Sequence, residues 1–202
     1  MAMAATSIAS IAILAKAPVP GFAKTRLIPD IGAHAAAVLQ ERLTARAVAT
    51  ARAADVGRVT LWCAPDLTHR SFHDLRVALK RQSEGDLGAR MLAVFGGAPT
   101  LVIGTDCPAL TPSHIQDAAR ALATHDVVLI PAEDGGYVLI GAKSPHPGLF
   151  ENMTWSVPTV LAETQARIAA LGLTVALFPT LWDVDTEDDL ARMEREFPEL
   201  AL

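Results

Sequence analysis

The chain has 202 residues, 51% of them apolar, and a formal net charge of −5. That composition is enough for one sizeable core, and its cations are too dispersed for a general nucleic-acid surface. No apolar run is long enough to cross a bilayer, and the two cysteines, Cys63 and Cys107, form no CxxC pair, so neither a disulfide framework nor a cysteine zinc site is supported.

The first residues lack the basic region and cleavage site of a secretory signal. A single cytoplasmic domain over residues 1–202 with reduced thiols is therefore expected. Ile8 to Leu14 is almost continuously apolar, the pattern of a strand buried on both faces in a parallel sheet covered by helices. It runs directly into Ala15-Lys16-Ala17-Pro18-Val19-Pro20-Gly21-Phe22-Ala23-Lys24-Thr25-Arg26-Leu27. Pro18 and Pro20 fix φ at about −65° and deny this loop a helix, while Gly21 allows a turn or a close approach to a ligand. If the chain after Gly21 is extended, Lys24 and Arg26 project to one side, an arrangement suited to a diphosphate.

From His34 to about Ala53 the spacing of Val38, Leu39, Leu43 and Ala47 is helical, with Gln40, Glu41, Arg42 and Arg46 on the wet side. Arg58 to Cys63 reads as a strand and Leu67 to Lys80 as a helix. Glycines bracket a helix start between Gln82 and Met91, and that helix runs to about Phe95. Leu101 to Gly104 is a short buried strand that delivers Asp106 to a strand's C-terminal edge, where open α/β sheets bind ligands. Thr111-Pro112 starts a helix to about Ala123. Asp126 to Pro131 is a strand, Glu133 to Gly136 a turn, and Tyr137 to Gly141 a strand returning antiparallel, which makes the sheet mixed. Asn152 to Pro158 leads into a helix to about Leu171, and Val175 to Phe178 is the last strand. Asp183 to Leu190 leads into a terminal helix, with Thr186 and Asp189 spaced like a capping box.

Three constellations carry chemistry. Lys24-Thr25 resembles the end of a Walker loop, but Ala23 and Pro18 stand where that motif needs glycine, so the P-loop reading fails. Asp106, Asp183 and Asp185 offer carboxylates from two strand ends, a donor set suited to Mg²⁺ or Mn²⁺; acids before a helix N-terminus are also stabilised by its dipole without any metal. In Glu133-Asp134-Gly135-Gly136-Tyr137 either acid can serve as general base to an acceptor hydroxyl with the glycines leaving room, and the same residues also suit a plain hairpin turn. Trp155 can stack on a sugar or base, or simply pack.

The segments KAPVPGFAKTRL, GDLGARM, IGTDCPAL, PAEDGGYVLIG, W-S-x-x-x-V and DVDTEDDL occur in this order. Together they resemble a bacterial family of GT-A-fold proteins labelled glycosyltransferases of arsenosugar-biosynthesis type, within the nucleotide-diphospho-sugar transferase superfamily. The resemblance implies a three-layer α/β/α sandwich with a mixed, mostly parallel sheet. It also implies a nucleotide held by Ala15, Lys16, Pro18, Gly21, Lys24 and Arg26, completed by Gln82, Gly88 and Arg90. By the same analogy Asp106 and Asp185 hold the metal, and Asp134, Gly135, Gly136, Tyr137 and Trp155 face the acceptor. A single acid at Thr105-Asp106-Cys107 departs from the DxD usual in GT-A enzymes, and the late DVDT is similar to phospholactate and molybdopterin guanylyltransferases. The leading expectation is a metal-dependent glycosyltransferase with Lys24, Arg26 and Asp134 as catalytic residues. Nucleotidyl transfer from an NTP and a non-catalytic nucleotide-binding module are the alternatives, and a homodimer is left open.

Overall fold

The computed structural model describes residues 9–202, so Ile8 of the expected first strand lies outside the described residues. Seven strands form one sheet: β1 (Ser10–Lys16), β2 (Val59–Ala64), β3 (Ala78–Arg81), β4 (Thr100–Ile103), β5 (Val127–Pro131), β6 (Tyr137–Ala142) and β7 (Val175–Leu177). The helices are α1 (Ile28–Ala54), α2 (Arg70–Asp74), α3 (Leu87–Val94), α4 (Pro112–Ala121), α5 (Val160–Ala170) and α6 (Glu187–Glu196). The strand order is β3-β2-β1-β4-β6-β5-β7. β6 runs antiparallel to both its neighbours, β4 and β5, and the other pairs are parallel.

Alternation along the strands divides the core into two layers. Ile11, Ile13, Leu61, Leu101, Ile103, Val128 and Ile130 pack on one face with Val48 of α1 and Ile115 and Ala118 of α4. Ala12, Val102, Leu129 and Ile140 pack on the other with Met91 and Val94 of α3 and Ile168 of α5. With both faces covered, the strands can be apolar throughout, which is why the run in β1 shows no alternation. This is the expected mixed, mostly parallel α/β/α arrangement.

Three expectations are corrected. The helix read over Leu67–Lys80 is only the five-residue α2: Arg76 takes a left-handed φ of 50°, and Ala78–Arg81 then pairs with Thr60–Cys63 at the sheet edge, a tertiary pairing that overrides the local helical spacing. A short helical turn from Ile28 ends at the non-helical backbone of Gly32, and the long regular run follows it, where the spacing from His34 predicts it. Gln40 is not on the wet side but only 3% exposed, because Ala36, Gln40 and Thr44 recur every four residues on the buried stripe. The chain after Gly21 is not extended, since Lys24 is left-handed and Thr25–Leu27 is a 3-10 turn.

Candidate active site

Three backbone hydrogen bonds build the site. Leu181 N–H donates to Pro131 O at 2.9 Å and Glu133 N–H to Leu181 O at 3.0 Å, while Val184 N–H donates to Asp106 O at 2.9 Å. The segments leaving β4, β5 and β7 are thereby joined, and Asp106, Asp134, Asp183 and Asp185 meet at the C-terminal edge of the parallel strands. A satellite apolar cluster of Leu27, Leu39, Leu43, Trp182, Val184, Leu190 and Met193 supports them from below. The capping box at Thr186 forms as expected, and Asp189 Oδ2 also accepts from Asp185 N–H at 3.1 Å. Glu133, one of the two candidate bases, turns away to Arg192 at 3.1 Å, leaving Asp134 to face the cavity.

That cavity has a volume of about 580 Å³, and its lining includes Ala15, Lys16, Lys24, Arg26, Gln82, Arg90, Asp106, Asp134, Gly136, Tyr137, Trp155, Asp183 and Asp185. Pro18, Gly21, Gly88 and Gly135 are not in the lining. Gly21 makes the exposed turn of the loop with φ +83° and open space around it. Gly88 has a packing role: a Cβ there would lie 2.5 Å from Phe150 O and 2.8 Å from the Trp155 ring. Gly135 has φ +88°, and a Cβ would lie 2.1 Å from Pro158 O, so only glycine lets the Asp134 turn dock against the start of α5.

The charged end of the cavity combines two cations and four carboxylates. Lys24 Nζ donates to Val184 O at 2.6 Å and lies 2.7 Å from Asp106 Oδ1 and 3.7 Å from Asp185 Oδ1. Arg26 donates to Asp185 Oδ2 at 2.9 Å from an exposed position. Both cations thus converge on Asp185 without the extended backbone the sequence suggested. Single carboxylate oxygens of Asp134, Asp183 and Asp185 lie within 4.8 Å of one another. Burial first, then the charges of Asp134, Asp185 and Asp106, push the Asp183 carboxyl up to about 7, with Lys24 opposing. Burial raises Asp185 as well, against Lys24. Hard oxygen donors left with unbalanced negative charge fit Mg²⁺ or Mn²⁺. Asp106, expected among the metal ligands, sits beside this triad with Lys24 as its partner.

The opposite end is formed by Lys16, Gln82 and Arg90. The Gln82 amide donates to Ala15 O at 3.0 Å and Trp62 O at 2.8 Å, which uses both of its N–H groups and fixes Oε1 as a free acceptor. Arg90 Nε donates to Gly85 O at 3.1 Å. Tyr137, at the start of β6, and Trp155 also line the cavity, and their Oη and Nε1 are buried without a partner. Cys107 also lines the cavity, but burial pushes its thiol up to about 12, which makes it a poor nucleophile.

Among the lining residues that the sequence did not mark as part of the site are Gln40 and Thr105. Buried Gln40 donates to Thr105 Oγ1 at 2.9 Å and Thr44 Oγ1 at 3.1 Å, and Thr105 Oγ1 donates to Asp106 Oδ1 at 3.3 Å. The available signal was the four-residue spacing that places Gln40 and Thr44 on the apolar stripe of α1.

A bacterial family described as "Uncharacterized protein conserved in bacteria (DUF2064)" matches residues 47–157. The chain belongs to this family. Among solved structures, a "putative nucleotide-diphospho-sugar transferase" from Desulfovibrio desulfuricans G20 superposes with a TM-score of 0.86 at 27% identity, over 96% of this chain and 88% of the other. CMP:2-keto-3-deoxy-manno-octonic acid synthetase complexed with CTP superposes at TM-score 0.61 and 12% identity, over 95% of this chain and 99% of the other. A 4-diphosphocytidyl-2C-methyl-D-erythritol synthase from Anaerococcus prevotii superposes at TM-score 0.59 and 10% identity, over 96% and 100%. These likenesses place the chain in the nucleotide-diphospho-sugar transferase fold. No protein in the search of curated sequences matches.

Proposed function

We propose that the protein is a divalent-metal-dependent glycosyltransferase, a single cytoplasmic domain that takes a nucleotide-diphospho-sugar donor and a small-molecule acceptor. The observation that carries this reading is one cavity at the strand ends in which Lys24 and Arg26 stand against the Asp134, Asp183 and Asp185 carboxylates. No helix among the described residues is long and apolar enough to cross a membrane.

The roles follow from position. The base and ribose lie at the Lys16, Gln82 and Arg90 end and the diphosphate at the other. Arg26, exposed and paired only with Asp185, exchanges that weak surface pair for a phosphate at little cost. Asp183 and Asp185, with one oxygen of Asp134, would hold Mg²⁺ or Mn²⁺, which when bound supplies charge neutralisation of the departing diphosphate. The Asp134 carboxylate, whose Oδ1 accepts from Gly136 N–H at 2.8 Å, would take the acceptor proton. Tyr137 and Trp155 flank the acceptor and offer an aromatic wall to a sugar. Fixed charges aimed at the leaving group are the main source of rate in such a site.

Nucleotidyl transfer is the second reading, supported by the two synthetases that share the fold and by the late DVDT segment. Product analysis separates the two. Release of a nucleoside diphosphate from a sugar nucleotide supports glycosyl transfer, and release of pyrophosphate from an NTP supports nucleotidyl transfer. Metal-dependent binding without turnover on any acceptor would make the protein a binding module.

A further inference from the structure

The charged end of the cavity has enough carboxylates for two divalent ions, since a two-metal site needs only a few carboxylates with one shared between the ions. Lys24 changes that count. Its side chain is 4% exposed, and its ammonium lies 2.7 Å from Asp106 Oδ1 and 3.7 Å from Asp185 Oδ1 while donating to Val184 O at 2.6 Å. The ammonium therefore fills the cation position between the β4 edge and the DVD segment. The backbone is shaped to put it there: Lys24 has φ 48° and ψ 44°, a left-handed conformation that costs a non-glycine residue roughly 1–2 kcal/mol. The 3-10 turn that follows is closed by Leu27 N–H on Lys24 O at 3.0 Å and anchored by fully buried Leu27. Such strain persists only where the surroundings over-determine it.

We infer that Lys24 is a built-in cation standing in place of a second metal, so that the site takes one divalent ion, held by Asp134, Asp183 and Asp185. The inference rests on the metal reading proposed above. Charge balance agrees with it: Asp106, Asp134, Asp183 and Asp185 against Lys24 and Arg26 leave a formal −2, the charge one divalent ion neutralises. Asp106 is then a partner of Lys24 and not a metal ligand, although it lies at the end of the central strand. One proton of the Lys24 ammonium is directed at Asp106 and one at Val184 O, which leaves the third for a donor phosphate oxygen in exchange for the long contact to Asp185.

The test is the stoichiometry of Mn²⁺ binding to the full chain, read from the free-ion electron paramagnetic resonance signal, without nucleotide. The wild type is expected to saturate at one ion per chain. Lys24→Met, which keeps the length of the stem and removes the charge, is expected to bind two, and Lys24→Arg to stay at one. Asp106→Asn is expected to change the affinity of the first ion by less than about threefold. This arm decides the matter if Lys24→Met fails to fold by circular dichroism. Two ions on the wild type, one ion on folded Lys24→Met, or a tenfold or greater loss of affinity in Asp106→Asn would each overturn the inference while leaving a metal site intact. No Mn²⁺ on the wild type would remove the metal reading and this inference together.

Discussion

The two ends of the cavity are built on different terms. At the Gln82 and Arg90 end, side chains are tied to backbone carbonyls of β1, β2 and the Gly85 turn, so donors and acceptors stand ready before any ligand arrives. At the Asp134, Asp183 and Asp185 end, carboxylates crowd within 4.8 Å, and burial with mutual repulsion holds Asp183 up to about 7. One end is pre-organised by its backbone hydrogen bonds; the other holds like charges together at a cost in stability that the proposed metal ion would relieve. Proteins commonly tolerate such strain at functional sites. The carboxylate end withstands it because its three segments are joined by backbone hydrogen bonds and seated on the Trp182, Val184 and Leu190 cluster.

The contrast can be broken most severely at Asp183. Asp183→Ala is expected to weaken Mn²⁺ binding by roughly 100-fold or more, since even partners one shell out from a metal are typically worth 10–100-fold, with the fold retained. Calorimetric titration with Mn²⁺ checks this, and unchanged affinity would remove Asp183 from the donor set. Gly135→Ala is expected to destabilise the protein by about 2 kcal/mol, because the added Cβ meets Pro158 backbone at a positive φ. Urea unfolding measures that loss, which should come with weaker acceptor binding as Asp134 shifts.

Asp183→Asn separates the two ends through pH. The folded Asp183 carboxyl titrates at about 7 against 3.8 for an ordinary aspartate. The native state therefore holds an extra proton between those values, and wild-type stability falls as pH rises through that window. The asparagine variant lacks this slope. Without metal it is expected to exceed the wild type at pH 8 by roughly 1–2 kcal/mol, less than the ~1.36 kcal/mol per pKa unit that complete burial would give, and by much less at pH 5. Urea unfolding at the two pH values in the presence of a chelator checks this, and an equal difference at both would refute the cause assigned. The smallest effect is expected at Arg26. Arg26→Ala should weaken nucleoside diphosphate binding about tenfold and leave stability within about 0.5 kcal/mol, as its pair with Asp185 is exposed.

Much of this was legible in the sequence because it depends on local rules. The unbroken apolar run of β1, the Asp-Gly turn before an antiparallel β6 and the Thr186 capping box each follow from neighbouring residues. So does the delivery of Asp106 to a strand end. What was not legible depends on pairing between distant segments. The β3 strand exists because an edge of β2 is available to it, and Asp134 joins Asp183 and Asp185 because Glu133 pairs with Leu181 across the sheet. Likewise, nothing in KTR discloses that Lys24 turns left-handed and is buried while Arg26, two residues on, stays exposed. Gln40 is buried by its place on the stripe of α1, which its polar residue type conceals.

Whether this strand edge binds a nucleotide diphosphate through a metal is decided by thermal shift with a panel of sugar nucleotides and NTPs, each with and without Mn²⁺. At least one nucleotide is expected to raise Tm when Mn²⁺ is present, by about 5–10 °C at a hundred times its Kd, the equivalent of roughly 2.7 kcal/mol, and the shift is expected to be lost on adding a chelator or in Asp183→Ala. A shift that is indifferent to Mn²⁺ and to Asp183, or a panel that shows none, would contradict that expectation.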